Sequence, residues 1–194
     1  MANLTGYDYL ESTVRNTYGS VVWSHKIQEK QADIYTTRYR RMETVKIWAA
    51  SLTSAGIVSL VFTDALWVKL ISAFISFISI FVSAFFKSFD LKTMISAHKK
   101  SAVDTLAIRD ELITLMLQIR MKKESPDILL AKYEELMDRL HKVYAEAPTT
   151  TDKAVEEARV ALNIQKDNTF FNEEVDSYLP EALRKVDEAR EHGR

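Results

Sequence analysis

The chain has 194 residues, a formal net charge of −1, no cysteine and only four glycines. Without cysteine there are no disulfides, thiolate metal sites or thiol catalysis, and the near-neutral balance argues against nucleic acid as a partner. The first 40 residues hold no hydrophobic core segment of the kind a signal peptide needs, so the first apolar run is expected to act as its own uncleaved insertion signal.

Apolar residues recur at spacings of three and four along most of the chain, and proline and glycine are scarce. This pattern predicts an all-α fold: a two-helix transmembrane hairpin continuous with long cytoplasmic helices that form a helical bundle. Residues 1–44 read as an N-terminal cytoplasmic helical segment. Tyr7, Leu10, Val14, Tyr18 and Val21 form its first stripe, and Ile27, Ile34, Tyr35, Tyr39 and Met42 carry the helix toward the membrane, with Gly19 as a point where it could bend.

Residues 45–86 are the hairpin. Neither Ile47 to Thr63 nor Leu70 to Phe86 contains a charged side chain, and only Asp64 to Lys69 separates them. Each run of about 17 residues gives roughly 25 Å of helix, and the apolar flanks (Val45, and Ala65 to Val68) bring each close to the ~30 Å hydrocarbon thickness. A soluble bundle is the alternative, but its buried helices keep a polar edge and rarely exceed apolar runs of about 10 to 14. Trp48 and Trp67 stand at opposite ends of the hairpin, where interfacial tryptophans belong.

Arg38, Arg40, Arg41 and Lys46 precede the first run; Lys87, Lys92, Lys99 and Lys100 follow the second; the connector carries only Asp64 and Lys69. The positive-inside rule therefore predicts a multi-pass protein with both termini cytoplasmic, Lys69 snorkelling to the outer surface. Arg38, Arg40 and Arg41 would also suit a nucleotide or an anionic lipid, although topology alone accounts for them.

Residues 87–147 read as cytoplasmic amphipathic helices. The stripe Leu91, Met94, Ile95, His98, Ala102, Thr105, Leu106, Leu112, Met116 and Ile119 predicts that the second membrane helix runs unbroken to about Lys123. Ser125 and Pro126 start the next helix as N-cap and first-turn proline, which presents Leu129, Tyr133, Leu136, Met137, Leu140, Val143 and Tyr144 on one face. Residues 148–194 are a C-terminal cytoplasmic helical extension. It comprises a linker from Pro148 to Asp152 and helices near Lys153–Lys166 and Pro180–Glu191, with Phe170-Phe171 packing onto the bundle.

His25, His98, His141 and His192 are scattered singly, and no catalytic or phosphate-loop motif occurs; His98 lies on an apolar stripe and is expected to be packed. No catalytic residue, metal or cofactor is expected, and the chain does not read as an enzyme. The informative pattern is inside the hairpin. Ser72, Ser76, Ser79 and Ser83 form one stripe on the second helix, and Phe74, Phe77, Phe81 and Phe85 form another. On the first helix Ser51, Ala55 and Ser59 repeat a small-xxx-small spacing, with Ala50 and Ser54 beside them. Such residues serve close helix packing, within the hairpin or between protomers. In an oligomer a serine stripe could equally line a narrow polar pore of low selectivity.

The Tyr- and Arg-rich helix Tyr35-Thr-Thr-Arg-Tyr-Arg-Arg-Met42 leading into Ile47-Trp48, the minimal-loop hairpin and the long amphipathic helix after it resemble the SLATT family over the first 125 residues or so. These are bacterial two-helix membrane effectors whose genes neighbour nucleotide-signalling or other antiphage-defence components. The resemblance implies a homo-oligomeric effector in the bacterial inner membrane that forms a pore, with growth arrest or cell death, when an upstream sensor protein or a nucleotide second messenger triggers it. Helices Asp90–Lys123 and Asp127–Glu146 would hold the assembly closed. The part after Ser125 would be a subtype-specific addition. The alternative is a membrane-anchored helical scaffold that recruits a cytoplasmic partner.

Overall fold

The computed structural model describes residues 5–59, 65–88, 90–167, 172–178 and 180. Apart from Pro180, the expected helix at 180–191 lies outside the described residues, as do Phe170-Phe171, the connector residue Asp64 and the side chains of Ser59 and Lys87. Every element among the described residues is an α-helix: α1 (Gly6–Ser59), α2 (Leu66–Ser88), α3 (Leu91–Arg120), α4 (Pro126–Glu146), α5 (Asp152–Asn163) and α6 (Asn172–Tyr178). The chain divides into two compact units, Met1–Ala158 and Arg159–Arg194.

In the first unit α1 is the long element. Its 54 residues contain no proline and span about 80 Å. At its start the Asp8 carboxylate accepts from the Thr5 backbone N–H and the Thr5 hydroxyl, each at 2.7 Å. These bonds satisfy an otherwise orphaned N-terminal donor. They also hold the Asp8 carboxyl below its ordinary range, the backbone bond contributing most.

The hydrophobic core forms where α1, α3 and α4 meet. Leu10, Val14 and Val21 interlock with Ile108, Leu112, Leu115 and Ile119 and with Leu129, Leu136 and Leu140, and Tyr7, Tyr18, Met116, Tyr133 and Met137 pack around them. The spacing of three and four in each set places it on one helix face. At the rim Arg139 makes a fork-like pair with Glu111, both bonds 2.6 Å, and Arg120 pairs with Glu11 at 2.8 Å. These half-exposed pairs contribute little beyond orientation.

The helix expected to run unbroken from the second apolar run to Lys123 is interrupted. It ends at Ser88, and α3 starts afresh at Leu91. Asp90 departs from helical geometry (ψ 74°) and caps α3, accepting from the Thr93 backbone N–H at 3.1 Å and the Thr93 hydroxyl at 2.6 Å. Aspartate offers the backbone a bond that competes with the helical ladder, which makes it a strong N-cap and a weak interior residue. At its other end α3 stops at Arg120, followed by Lys122 in the left-handed region (φ 47°). Ser125 does occupy the N-cap position of α4 with Pro126 in the first turn, but its hydroxyl makes no capping bond.

Candidate functional site

Leu66–Phe85 is a 20-residue stretch long and apolar enough to cross a membrane, and only 6% of it is buried. A core helix of a soluble protein would be mostly covered. Here Leu66, Trp67, Leu70, Ile71, Phe74, Phe77, Ile80 and Phe81 all stand exposed, an apolar surface that water would penalise heavily. Leu66–Phe85 is the one such span among the described residues. The apolar end of α1 also exposes Ile47, Trp48, Leu52 and Val58, but it is described only to Ser59, and residues 60–63 of that run lie outside. The two-span hairpin expected from sequence is thus seen as one span beside a shorter apolar helix end.

The two stripes on α2 take opposite roles. Ser72, Ser76 and Ser79 are half-buried and Val82 is buried, whereas Phe74, Phe77 and Phe81 point outward. The inward face meets α1 through Gly56. A Cβ added there would collide with the Ser72 hydroxyl and lie 3.2 Å from the Ser72 Cβ. Ala49 is buried and Thr53 half-buried on the same face of α1, at the spacing of four and three that aligns them with Gly56. Gly56 is therefore what lets the backbones come this close, and the sequence reading passed over it.

The small-residue set of α1 does not join this contact. Ser51 and Ala55 are exposed, as are Ala50 and Ser54, and Ser83 on α2 is exposed as well. The hydroxyls on α1 are nevertheless bonded to their own helix: Ser51 to the Ile47 carbonyl at 2.9 Å, Thr53 to Ala49 at 2.8 Å and Ser54 to Ala50 at 3.0 Å. That internal pairing is what a hydrocarbon environment demands of a polar side chain.

At the Phe85 end of α2 the Arg38 guanidinium lies 5.3 Å from the centre of the Phe85 ring, and the Lys92 ammonium lies 5.3 Å from that of Tyr39. Arg40, Arg41, Lys46 and Lys69 are exposed, as are Trp48 and Trp67.

Below this collar a buried polar layer ties α1 to α3 and to the segment after α4. His98 is fully buried and its Nδ1–H donates to the Gln28 Oε1 at 2.6 Å, while the Gln28 amide donates to the Pro148 carbonyl at 3.2 Å. Gln31, also fully buried, accepts from both the backbone N–H and the hydroxyl of Thr151, each at 2.8 Å. His25 Nδ1 bonds the Ala102 carbonyl at 2.8 Å, and the Tyr35 ring stacks obliquely on His98 at 5.4 Å. Burial pushes the His98 imidazole below its ordinary pKa, because charging it would require desolvating an ion. The packed reading of His98 thus has a geometric basis. Gln28 and Gln31 were missed, although their place beside Ile27 and Ile34 put polar groups on an apolar stripe. Among the described residues no cluster of three His, Asp or Glu side chains could hold a metal.

A family model described as SMODS and SLOG-associating 2TM effector domain family 4 matches residues 10–174. The match runs well past the first 125 residues and takes in α4 and α5, so those helices belong to the unit that family 4 describes. No curated protein and no solved structure matches the chain.

Proposed function

Since the chain belongs to the SMODS and SLOG-associating two-transmembrane effector family, a domain associated with defence systems, we propose that it is a bacterial antiphage effector that permeabilises the inner membrane. In this reading the apolar end of α1 and α2 cross the bilayer as a hairpin, both termini are cytoplasmic, and protomers assemble into a pore when an upstream sensor protein or nucleotide signal acts. The chemistry is membrane disruption, not catalysis, and no cofactor takes part. The observation that carries this reading is the bare aromatic face of α2, an apolar surface that lipid would cover.

The serines then act in two states. At rest Ser72, Ser76 and Ser79 are held half-buried on the α1 side of α2; in the open state the hairpin separates and they face a shared aqueous axis. The exposed Ser51, Ser54 and Ala55 face of α1 is free for contact between protomers without any rearrangement. Moving such an equilibrium from 1:99 to 99:1 takes about 5.5 kcal/mol in total, a modest amount for each of several subunits. The test is dye and ion leakage from liposomes reconstituted with the protein. Ser76→Leu with Ser79→Leu should abolish leakage while leaving insertion intact; continued ion flux in that variant would sink the serine-lined pore.

One feature favours the scaffold reading as a second candidate. Ile113 and Leu117 on α3 and Met121 just after it, spaced four apart, are exposed on the cytoplasmic part, an apolar strip suited to a protein partner. Replacing residues 45–86 by an unrelated two-helix anchor should preserve function if recruitment is the whole role, and should destroy it if the hairpin acts on the membrane.

A further inference from the structure

Beside the inner end of the hairpin lies a cavity of about 490 Å³ between α1 and the first turns of α5, lined by Asp33, Arg38, Arg41, Met42, Lys153 and Glu157 among others. Its size falls within the range of small-molecule sites, roughly 300 to 1,000 Å³. Its depth is fixed by Arg38, whose guanidinium sits over Phe85, the last residue of the apolar span Leu66–Phe85. Arg41 stands one turn closer to Ile47, where the uncharged run of α1 begins. The cavity is therefore at the level of the headgroups on the cytoplasmic side.

Its charge is equally specific. Three cationic and two anionic side chains line it, and Lys153 is partly engaged by Glu157 at 3.7 Å, so one net positive charge remains. A phosphodiester carries one negative charge; a polyphosphate or a bis-phosphodiester carries more than these walls would neutralise. Arginine forks match phosphate oxygens bidentately, and basic pockets beside membrane helices on the cytoplasmic side are established headgroup sites. Met42 supplies an apolar wall on the side nearest the bilayer.

We infer that this cavity binds the phosphodiester headgroup of an anionic phospholipid, held by Arg38 and Arg41 from α1 and closed by Lys153 from α5. Lipid would thereby link the membrane rod to α5, next to the Thr151–Gln31 tie. This inference rests on the membrane placement of α2 but not on pore formation, so a failure of the leakage assay leaves it standing.

The test is native mass spectrometry of the full chain released from detergent micelles carrying phosphatidylglycerol or phosphatidylcholine, with glycerophosphoglycerol and a cyclic dinucleotide as acyl-free competitors. The wild type should retain one phosphatidylglycerol per protomer under conditions that strip phosphatidylcholine. Arg41→Gln with Lys153→Gln should cut that retention roughly tenfold or more. Lys99→Gln with Lys142→Gln, which removes the same charge from exposed positions elsewhere, should leave it unchanged. Equal retention of the two lipids by the wild type, or equal loss in both double variants, would overturn the site. Displacement of the lipid by the cyclic dinucleotide at equimolar amounts would overturn the lipid assignment in favour of a soluble phosphodiester. Equal retention of the two lipids by the wild type overturns the site even if the cavity variant misfolds.

Discussion

At Gly56 a single absent Cβ sets the separation of two helices. Alanine in an ordinary exposed helix interior would gain about 1 kcal/mol over glycine. Here its Cβ would collide with Ser72, and overpacking of this kind costs about 1–3 kcal/mol. Gly56→Ala should therefore destabilise the hairpin on denaturant titration in detergent, and Ser72→Gly in the same chain should restore most of the loss. If Gly56→Ala is neutral or stabilising, the close contact is not part of the native packing. The serine spacing on α2 was legible in the sequence, but the partner face on α1 was not. Ala50, Ser51, Ser54, Ala55 and Gly56 are all small, and which of them faces α2 depends on the rotation of α1 about its axis. A second residue effect is tied to pH. Because burial depresses the His98 pKa from its ordinary 6.5, the unfolded chain binds the proton first on acidification. The neutral, Gln28-bonded form thus contributes stability that is full above about pH 6.5 and is lost as pH falls through the lower folded pKa. Unfolding free energy measured from about pH 7 to 5 should drop for the wild type and be flatter for His98→Gln; parallel slopes would remove His98 as the cause. The Asp8 and Asp90 carboxylates, both held below 3.8 by bonds from Thr5 and Thr93, act in a separate window, stabilising above that value and ceasing to do so at lower pH.

Among the elements, α1 rather than α2 is the continuous rod. The apolar stripe stays in phase across Asp90, from the membrane into Leu91, Ile95, His98 and Ala102, so periodicity alone ran the two helices together. The break depends on one capping side chain, a signal much weaker than proline or glycine. By contrast the α1 and α4 stripes contain every core residue those helices contribute, because amphipathic helices have few ways to bury their apolar faces together, whereas the α3 stripe held Leu112 and Ile119 but not Ile108 and Leu115. The segment between α4 and α5 is held by Gln31, which was not legible because a glutamine on an apolar stripe does not reveal a partner 120 residues away. Gln31→Leu would leave the Thr151 N–H without its acceptor, a loss of about 1–3 kcal/mol. Hydrogen exchange should show it as faster exchange from Thr150 to Val155 with little change in the α3–α4 core. Unchanged exchange there would mean the tie does not fasten the segment.

For the molecule as a whole, the proposed arrangement is a helical bundle on the cytoplasmic side, carried into the bilayer by α1 and returned by α2; family membership, the bare aromatic face of α2 and the arginine-rich collar at Arg38 support it. Residues 45–86 carry this expectation in the sequence because two uncharged runs with a six-residue connector have few other uses, and among the described residues Leu66–Phe85 stands as one such span. The chain also lacks cysteine, so single-cysteine labelling has no background. The decisive measurement is the reactivity of Lys69→Cys and Lys142→Cys toward a membrane-impermeant maleimide in intact spheroplasts. The hairpin account predicts that Lys69→Cys labels from outside and Lys142→Cys labels only after lysis. Labelling of Lys142→Cys from outside, or protection of both positions in a protein recovered from the soluble fraction, would contradict it.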